Sequence, residues 1–145
     1  MIIEYKKLNA NAQEPTYGTE YSAGVDLRVS IDTPIVLNPG ETEIVPTGIA
    51  ICIPEGYFGM ICSRSGLSAK FGIVVLNSPG IIDADYRGEI KLIMMNHSKK
   101  AFTIEQGMRL AQLIIVPYSR TSWKMVSDLP ETRRADGGIG STGIK

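Results

Sequence analysis

Short apolar runs, many of them rich in Val and Ile and alternating with polar residues, follow one another along most of the chain. Such alternation is typical of half-buried β-strands, because successive side chains of a strand point to opposite faces of the sheet. Turn residues such as Pro39-Gly40 and Pro79-Gly80 separate the runs at short intervals, which favours a barrel or sandwich over βαβ units. The pattern predicts strands at residues 2–6, 25–31, 43–53, 59–62, 73–77, 89–96, 101–104 and 110–118.

One short helix is predicted, beginning near Ser65 and running to about Lys70. We expect Ser63 or Ser65 to cap its start and Phe71-Gly72 to end it. The last residues, 133–145, differ from the rest because four glycines follow two arginines with little apolar surface between them. A segment of this composition is expected to be mobile. The sequence therefore predicts a single all-β domain over residues 1–145, with residues 133–145 as a mobile C-terminal tail.

The length and charge of the chain narrow the classes of partner. At 145 residues the chain suits one domain with its own core. Fifteen acidic and fifteen basic residues cancel, which argues against a nucleic-acid partner and makes any anion site local. The sequence has neither the apolar run of a signal peptide nor one long enough to span a membrane, so we expect a cytoplasmic protein. Cys52 and Cys62 are expected to be small buried apolar residues rather than a disulfide or zinc ligands.

The segment CSRSGL, at residues 62–67, stands between a predicted strand and the predicted helix. Backbone N–H groups at a helix start, two hydroxyls and Arg64 would together bind an anion, and Gly66 would let a ligand approach the backbone. An ordinary capped loop with a solvated arginine explains the same residues. The residues alone leave both interpretations open.

The segment GIIDADYRG, at residues 80–88, leads from apolar residues into two carboxylates and a tyrosine. A carboxylate at the end of a strand is held by rigid backbone and can be aimed at a water molecule. The ring of Tyr86 could pack against a sugar. An Asp-rich hairpin turn without a chemical role is the structural alternative.

Three further segments carry weaker signals. The tail segment RADGGIGSTG suits the wrapping of a phosphate chain, or is simply a flexible end; it is not a Walker A loop. Asp26 in AGVDL is either a turn residue or a partner of a metal. Gln112 in GMRLAQL is most simply explained by a hydrogen bond at a sheet edge, and His97 by a solvated turn.

Taken in order, the five segments AGVDL, SRSGL, GIIDADYRG, GMRLAQLI and RADGGIGSTG resemble the five motifs of the trimeric dUTP diphosphatase (dUTPase) family, from residue 23 to residue 143. The resemblance implies a distorted jelly-roll β-barrel with one short helix and an extended C-terminal tail. It also implies a homotrimer with shared active sites, in which each tail closes a neighbour's site. The implied reaction converts dUTP to dUMP and pyrophosphate with Mg²⁺ bound by the triphosphate. That reaction limits uracil incorporation into DNA and supplies dUMP for thymidylate synthesis.

The resemblance also assigns roles by position. Asp83 matches the catalytic general base that orients water towards the α-phosphorus, and Tyr86 matches the residue whose ring lies against deoxyribose. Asn77 matches a uracil contact, and Asp26 matches an outer-sphere residue that holds a metal-bound water. The positions that match contacts to phosphate, or to phosphate-bound water, are Arg64, Ser65, Gly66, Gln112, Arg134, Ser141 and Thr142.

Two tail residues depart from the family pattern. Ile139 stands where an aromatic residue usually stacks on uracil, so it covers the base without stacking. Base–aromatic stacking contributes ~1–3 kcal/mol, and its loss would weaken the closed complex by up to ~100-fold. Ala135 stands where a glycine is common, which restricts how the tail folds over the site.

Two other functions are alternatives to dUTP hydrolysis. The dCTP deaminases are similar in fold, but their chemistry needs a glutamate three residues before an asparagine in the strand after the Asp-containing hairpin. Ile93 occupies that position here, and Glu89 comes too early in the strand. A non-catalytic jelly roll, structural or regulatory, would keep the strands without requiring Asp83, Tyr86 and the tail in register.

Overall fold

The computed structural model describes residues 1–139, which form twelve strands and one short helix. The strands are antiparallel and short, as the spacing of turn residues predicts. The elements in chain order are β1 (Glu4–Lys7), β2 (Thr16–Tyr17), β3 (Val25–Arg28), β4 (Ile35–Leu37), β5 (Thr42–Pro46), β6 (Ile49–Cys52), β7 (Tyr57–Ser63), α1 (Ser65–Phe71), β8 (Ile73–Val75), β9 (Gly80–Ile82), β10 (Lys91–Asn96), β11 (Phe102–Ile104) and β12 (Arg109–Pro117).

The largest sheet has five strands in the order β2-β3-β12-β7-β9, and a second sheet has the order β5-β10-β8. The pairs β1-β6 and β11-β4 complete the arrangement around one apolar core. Strand β10 shows how the pattern produces this core, because Leu92 and Met94 are buried while Lys91 points outward. The expected distorted jelly roll is confirmed, although the strands of residues 1–139 form separate sheets rather than a closed barrel.

The single strand expected at residues 43–53 is wrong, because Thr47 and Gly48 divide it into β5 and β6. Gly48 has φ +66°, and a Cβ there would lie 2.7 Å from the Cβ of Ala12. The Gly48 N–H donates to Glu89 Oε1 at 2.8 Å, so the break is hydrogen-bonded. A glycine inside an apolar run is the signal for such an interruption.

Three strands were not predicted, namely β2, β4 and β9. Each has only two or three residues, which is too short to show an alternating pattern. Strand β10 begins at Lys91 rather than at residue 89. No helix within residues 1–139 combines the length and apolarity needed to cross a membrane.

The short helix lies where it was expected, and Gly72 ends it in the left-handed conformation at φ +67°. The predicted serine cap is wrong. Arg64 occupies the N-cap position without a side-chain hydrogen bond, while Ser63 Oγ instead accepts from the Val75 N–H at 2.9 Å. Cys52 and Cys62 are free thiols as expected, but both are half-buried rather than buried.

Candidate active site

A buried aspartate with two arginines forms the first part of the candidate site. Asp26, on β3, is 3% exposed. Its Oδ2 accepts from Arg109 Nη1 at 2.9 Å, and its Oδ1 lies 3.0 Å from Arg64 Nε. Burying a carboxylate is costly unless the charge is paired, so the two guanidinium groups account for its position. We call Asp26, Arg64 and Arg109 the Asp26 cluster.

One oxygen of this buried carboxylate lacks a directed hydrogen bond. Arg64 Nε is within ion-pair distance of Asp26 Oδ1, but its N–H points elsewhere, and Oδ1 has no hydrogen-bond partner within residues 1–139. The Nη1 of Arg64 donates instead to the Arg109 carbonyl at 2.8 Å. The carboxylate is therefore held by ion pairing with Arg64 and by the hydrogen bond from Arg109.

The described residues do not build a direct metal site. Nowhere in residues 1–139 do three or more His, Cys, Asp or Glu side chains group in a way that could hold an ion. The role of Asp26 as an outer-sphere partner of a metal stays a prediction.

Gln112 lies in the middle of the largest sheet, so its interpretation as an edge residue is wrong. Strand β12 runs between β3 and β7, and Gln112 pairs with Asp26 on one side and with Cys62 on the other. Directly opposed residues of antiparallel strands carry side chains on the same face. The amide of Gln112 therefore shares a face with the Asp26 carboxylate.

The start of α1 adjoins the Asp26 cluster. Ser65 and Gly66 follow Arg64 directly and are exposed. Because they occupy the first turn of the helix, their N–H groups have no intrahelical acceptor. A Cβ at Gly66 would meet no atom within 4 Å, so packing within residues 1–139 does not require a glycine here.

Asp83 forms the second part of the candidate site. It follows the last residue of β9, at a strand end as predicted, and its carbonyl accepts from the Tyr86 N–H at 3.1 Å to close a turn. Nη1 of Arg87 donates to the carbonyls of Ala84 and Tyr86, at 2.6 and 3.0 Å. Asp83 is exposed and borders a cavity of about 580 Å³ that Tyr118 and Arg120 also line.

Asn77 precedes β9, and Tyr86 follows this strand in the same turn as Asp83. The ring of Tyr86 is 44% exposed, and its hydroxyl donates to the Glu89 carbonyl at 3.0 Å. Asn77 is exposed just beyond β8, and its Nδ2 would lie 3.1 Å from a Cβ at Gly80. Asn77 and Asp83 thus flank β9 at its two ends.

The two parts of the candidate site do not meet in one chain. Ile82 pairs with Gly59 near the start of β7, whereas Arg64 follows the last residue of that strand. A strand rises ~3.3 Å per residue, so Asp83 and Arg64 lie ~16 Å or more apart along β7. The cavity beside Asp83 contains no residue of the Asp26 cluster.

The tail residues within the described range do not contact either part of the site. Nε of Arg134 donates to the Gly137 carbonyl at 2.9 Å within its own turn, and Ile139 is fully exposed. Ala135 adopts φ +47°, a left-handed conformation that favours glycine. Ser141 and Thr142 lie outside the described residues.

Sequence reasoning missed Arg109, which holds the second oxygen of Asp26. Its position in GMRLAQL was visible, but its partner is set by the bulged pairing of β12 with β3. It also missed Gly88, whose Cα lies against the Tyr86 ring. Only the tertiary structure brings these pairs together.

Comparisons with known proteins agree with the fold. A family model for dUTPase matches residues 10–143. The deoxyuridine 5'-triphosphate nucleotidohydrolase of Rickettsia felis is 52% identical over 143 residues, covering 98% of this chain and 97% of the relative. That of Orientia tsutsugamushi strain Ikeda is 53% identical over 144 residues, covering 99% and 97%.

Two solved structures with a similar fold are also dUTPases. A variant of the Staphylococcus bacteriophage 80alpha dUTPase with dUpNHpp has a TM-score of 0.90 at 29% identity, covering 99% of each chain. A variant of the dUTPase from phage phi11 of S. aureus, described with a structural Mg(II) ion, has a TM-score of 0.82 at 29% identity, covering 90% of this chain and all of that one.

The fold and its nearly full-length relatives place the chain among the jelly-roll nucleotide hydrolases. Within that class, the chain belongs to the dUTPase family. The resemblance of the five segments is thereby confirmed. The deaminase alternative gains no support, because Ile93 lies on β10 opposite Ile44 and offers no acid–base group.

Proposed function

We propose that the chain hydrolyses dUTP to dUMP and pyrophosphate at sites shared between the subunits of a homotrimer. The dUTP specificity rests on family membership and on relatives named for this reaction. The observation that carries the shared site is the placement of Asp83 and the Asp26 cluster at opposite ends of β7. A catalytic base and the groups that bind the adjoining phosphates must lie together, so they come from different copies.

In the proposed mechanism, the Asp83 carboxylate accepts a proton from a water molecule as that water attacks the α-phosphorus. A new P–O bond forms, and the bond between the α-phosphorus and its bridging oxygen breaks, releasing pyrophosphate. The position of Asp83 after β9, in a turn closed by the Tyr86 N–H, fixes where its carboxylate can point. Its exposure leaves room for water and substrate.

The groups proposed to stabilise the triphosphate lie at the other end of β7. Arg64 supplies positive charge, the free N–H groups of Ser65 and Gly66 donate to phosphate oxygens, and Gln112 lies beside Asp26. The open space at Gly66 lets a phosphate approach the backbone. Further contacts are proposed for tail residues: Arg134, Ser141 and Thr142.

Mg²⁺ is the proposed cofactor, bound by the triphosphate with Asp26 as an outer-sphere partner. When bound, it would neutralise charge on the phosphate oxygens. Support comes from the position of Asp26 beside Arg64, whose charge would attract the triphosphate, and from the structural Mg(II) ion described for the phage phi11 relative.

The nucleoside is proposed to lie along β9. This strand has three residues, ~10 Å of extended chain, so a nucleoside along it reaches both Asn77 and Asp83. Asn77 would contact uracil, and Tyr86 would lie against deoxyribose, leaving no room for a 2'-hydroxyl. Ile139 would cover the base without stacking on it.

The trimer is supported by the residues that follow β12. Residues 118–139 contain no strand or helix, and Trp123, Met125 and Leu129 are at least 82% exposed. Several large apolar side chains exposed on one segment offer a surface that another chain can cover, and a second copy of the chain provides one. The single domain, the tail boundary at residue 133 and the cytoplasmic location stay predictions.

The direct test is pyrophosphate release from dUTP and Mg²⁺ by Asp83→Asn. The amide keeps the shape of the carboxylate but cannot accept the proton of water, so turnover should fall by at least ~100-fold. Affinity for dUpNHpp should change little. Undiminished turnover would remove Asp83 from its role, and the other deoxynucleoside triphosphates, assayed alongside, serve as the control for specificity.

A further inference from the structure

The hydroxyl end of the Tyr86 ring lies over Gly88, and a Cβ built at Gly88 would come closest to the Tyr86 hydroxyl oxygen. A Cβ built at Gly88 would lie 2.6 Å from Tyr86 Cζ and 3.0 Å from Cε2, closer than side chains tolerate. The backbone of Gly88 is not in the left-handed region, so its conformation does not require glycine. The missing side chain therefore serves one purpose that the structure shows, which is room for the ring.

The same end of the ring is held by a hydrogen bond. The hydroxyl of Tyr86 donates to the Glu89 carbonyl at 3.0 Å. Glu89 is fixed in turn, because its Oε1 accepts from the Gly48 N–H at 2.8 Å in the turn between β5 and β6. The hydroxyl end of the ring is thus held between Gly88 and the Glu89 carbonyl, although Tyr86 is 44% exposed.

We propose that Gly88 and the Glu89 carbonyl form a seat that positions Tyr86 and so sets the preference for deoxyribose. The proposal rests on the proposed contact between Tyr86 and the sugar. A ring rejects a 2'-hydroxyl only if it cannot move aside, and an exposed side chain is otherwise free to do so. Gly88 is a positioning residue that acts through Tyr86.

The test is Gly88→Ala. The added methyl group displaces the tip of an exposed side chain rather than backbone, so the variant should fold. It should break the bond between the Tyr86 hydroxyl and the Glu89 carbonyl. The ratio of kcat/KM for dUTP to that for UTP should fall about tenfold, the effect of a modest steric change in a specificity pocket. The dUTP KM should rise much more than kcat falls, since Asp83 is not moved.

Two controls separate the seat from general damage. Gly18→Ala places a Cβ at an ordinary 3.7 Å from Ser22 Oγ and should leave both substrates unaffected. In a Tyr86→Ala background, adding Gly88→Ala should change the ratio no further, because no ring remains to be displaced. A further drop in that background would overturn the proposal.

Tyr86→Phe provides a second, independent variant. It keeps the ring against Gly88 but removes the donor to the Glu89 carbonyl, so the dUTP preference should fall by a smaller factor than in Gly88→Ala. If the wild-type protein hydrolyses dUTP but the ratio of kcat/KM for dUTP to that for UTP is unchanged in both variants, the seat is refuted and the proposed function is not. A wild-type protein that does not hydrolyse dUTP refutes the proposed function instead.

Discussion

Asp26 illustrates how single residues in this protein depend on partners distant in sequence. Its carboxylate is 3% exposed and lies between guanidinium groups that come from the end of β7 and the start of β12. A buried carboxylate is tolerated when it is paired with two arginines in this way. Removing one arginine leaves part of its negative charge uncompensated. The sequence marked Asp26 and Arg64, but only the register of the strands identifies Arg109 as the third member.

Replacing Arg109 with Ala should therefore destabilise the fold. The Asp26 Oδ2 would lose a hydrogen bond of 2.9 Å, and because Arg109 is 44% exposed, water would compensate in part. We expect a loss of about 2 kcal/mol in the free energy of unfolding, measured with urea. Lys91→Ala, which breaks an exposed contact of 3.9 Å to Glu89, should cost under ~0.5 kcal/mol. Equal effects of the two substitutions would contradict a special role for the Asp26 cluster.

At the scale of elements, the sequence predicted all strands of four or more residues, with β5 and β6 merged into one, and two short strands, β8 and β11; it missed the short strands β2, β4 and β9. The helix and its glycine end were predictable from local chemistry, as was the placement of Asp83 at the end of a strand. The break at Gly48 had a local signal, a glycine inside an apolar run, but the close approach to Ala12 that requires this glycine depends on another part of the chain. Pairing of β12 between β3 and β7, which makes Gln112 a central residue, likewise depends on topology.

The tail is the element whose role follows least from local structure. Its described part contacts neither part of the candidate site, and Arg134 bonds only to its own turn. Deleting residues 134–145 removes little apolar surface, so the truncated protein should unfold at the same urea concentration. Turnover of dUTP should fall by at least ~10-fold, because phosphate contacts are lost. Normal turnover after truncation would make the tail a solvated end.

At the scale of the whole molecule, β7 separates Asp83, the proposed general base, from the groups proposed to bind phosphate. Asp83 and the Asp26 cluster belong to the same chain, yet a single chain does not bring them together in one site. The exposed apolar side chains at Trp123, Met125 and Leu129 also offer a surface that another copy can cover. Both features are explained if the functional unit is an assembly of copies.

Mixing two inactive variants tests this account most directly. Asp83→Asn and Arg64→Ala subunits, each inactive alone, are unfolded together, refolded at equal amounts and assayed for pyrophosphate release from dUTP. If sites are shared between neighbours in a trimer, about a quarter of all sites combine an intact Asp83 with an intact Arg64. Activity should therefore rise to about a quarter of the wild-type value. If the mixture stays as inactive as its components while wild-type protein regains activity under the same treatment, Asp83 and Arg64 act within one chain and the shared site is wrong.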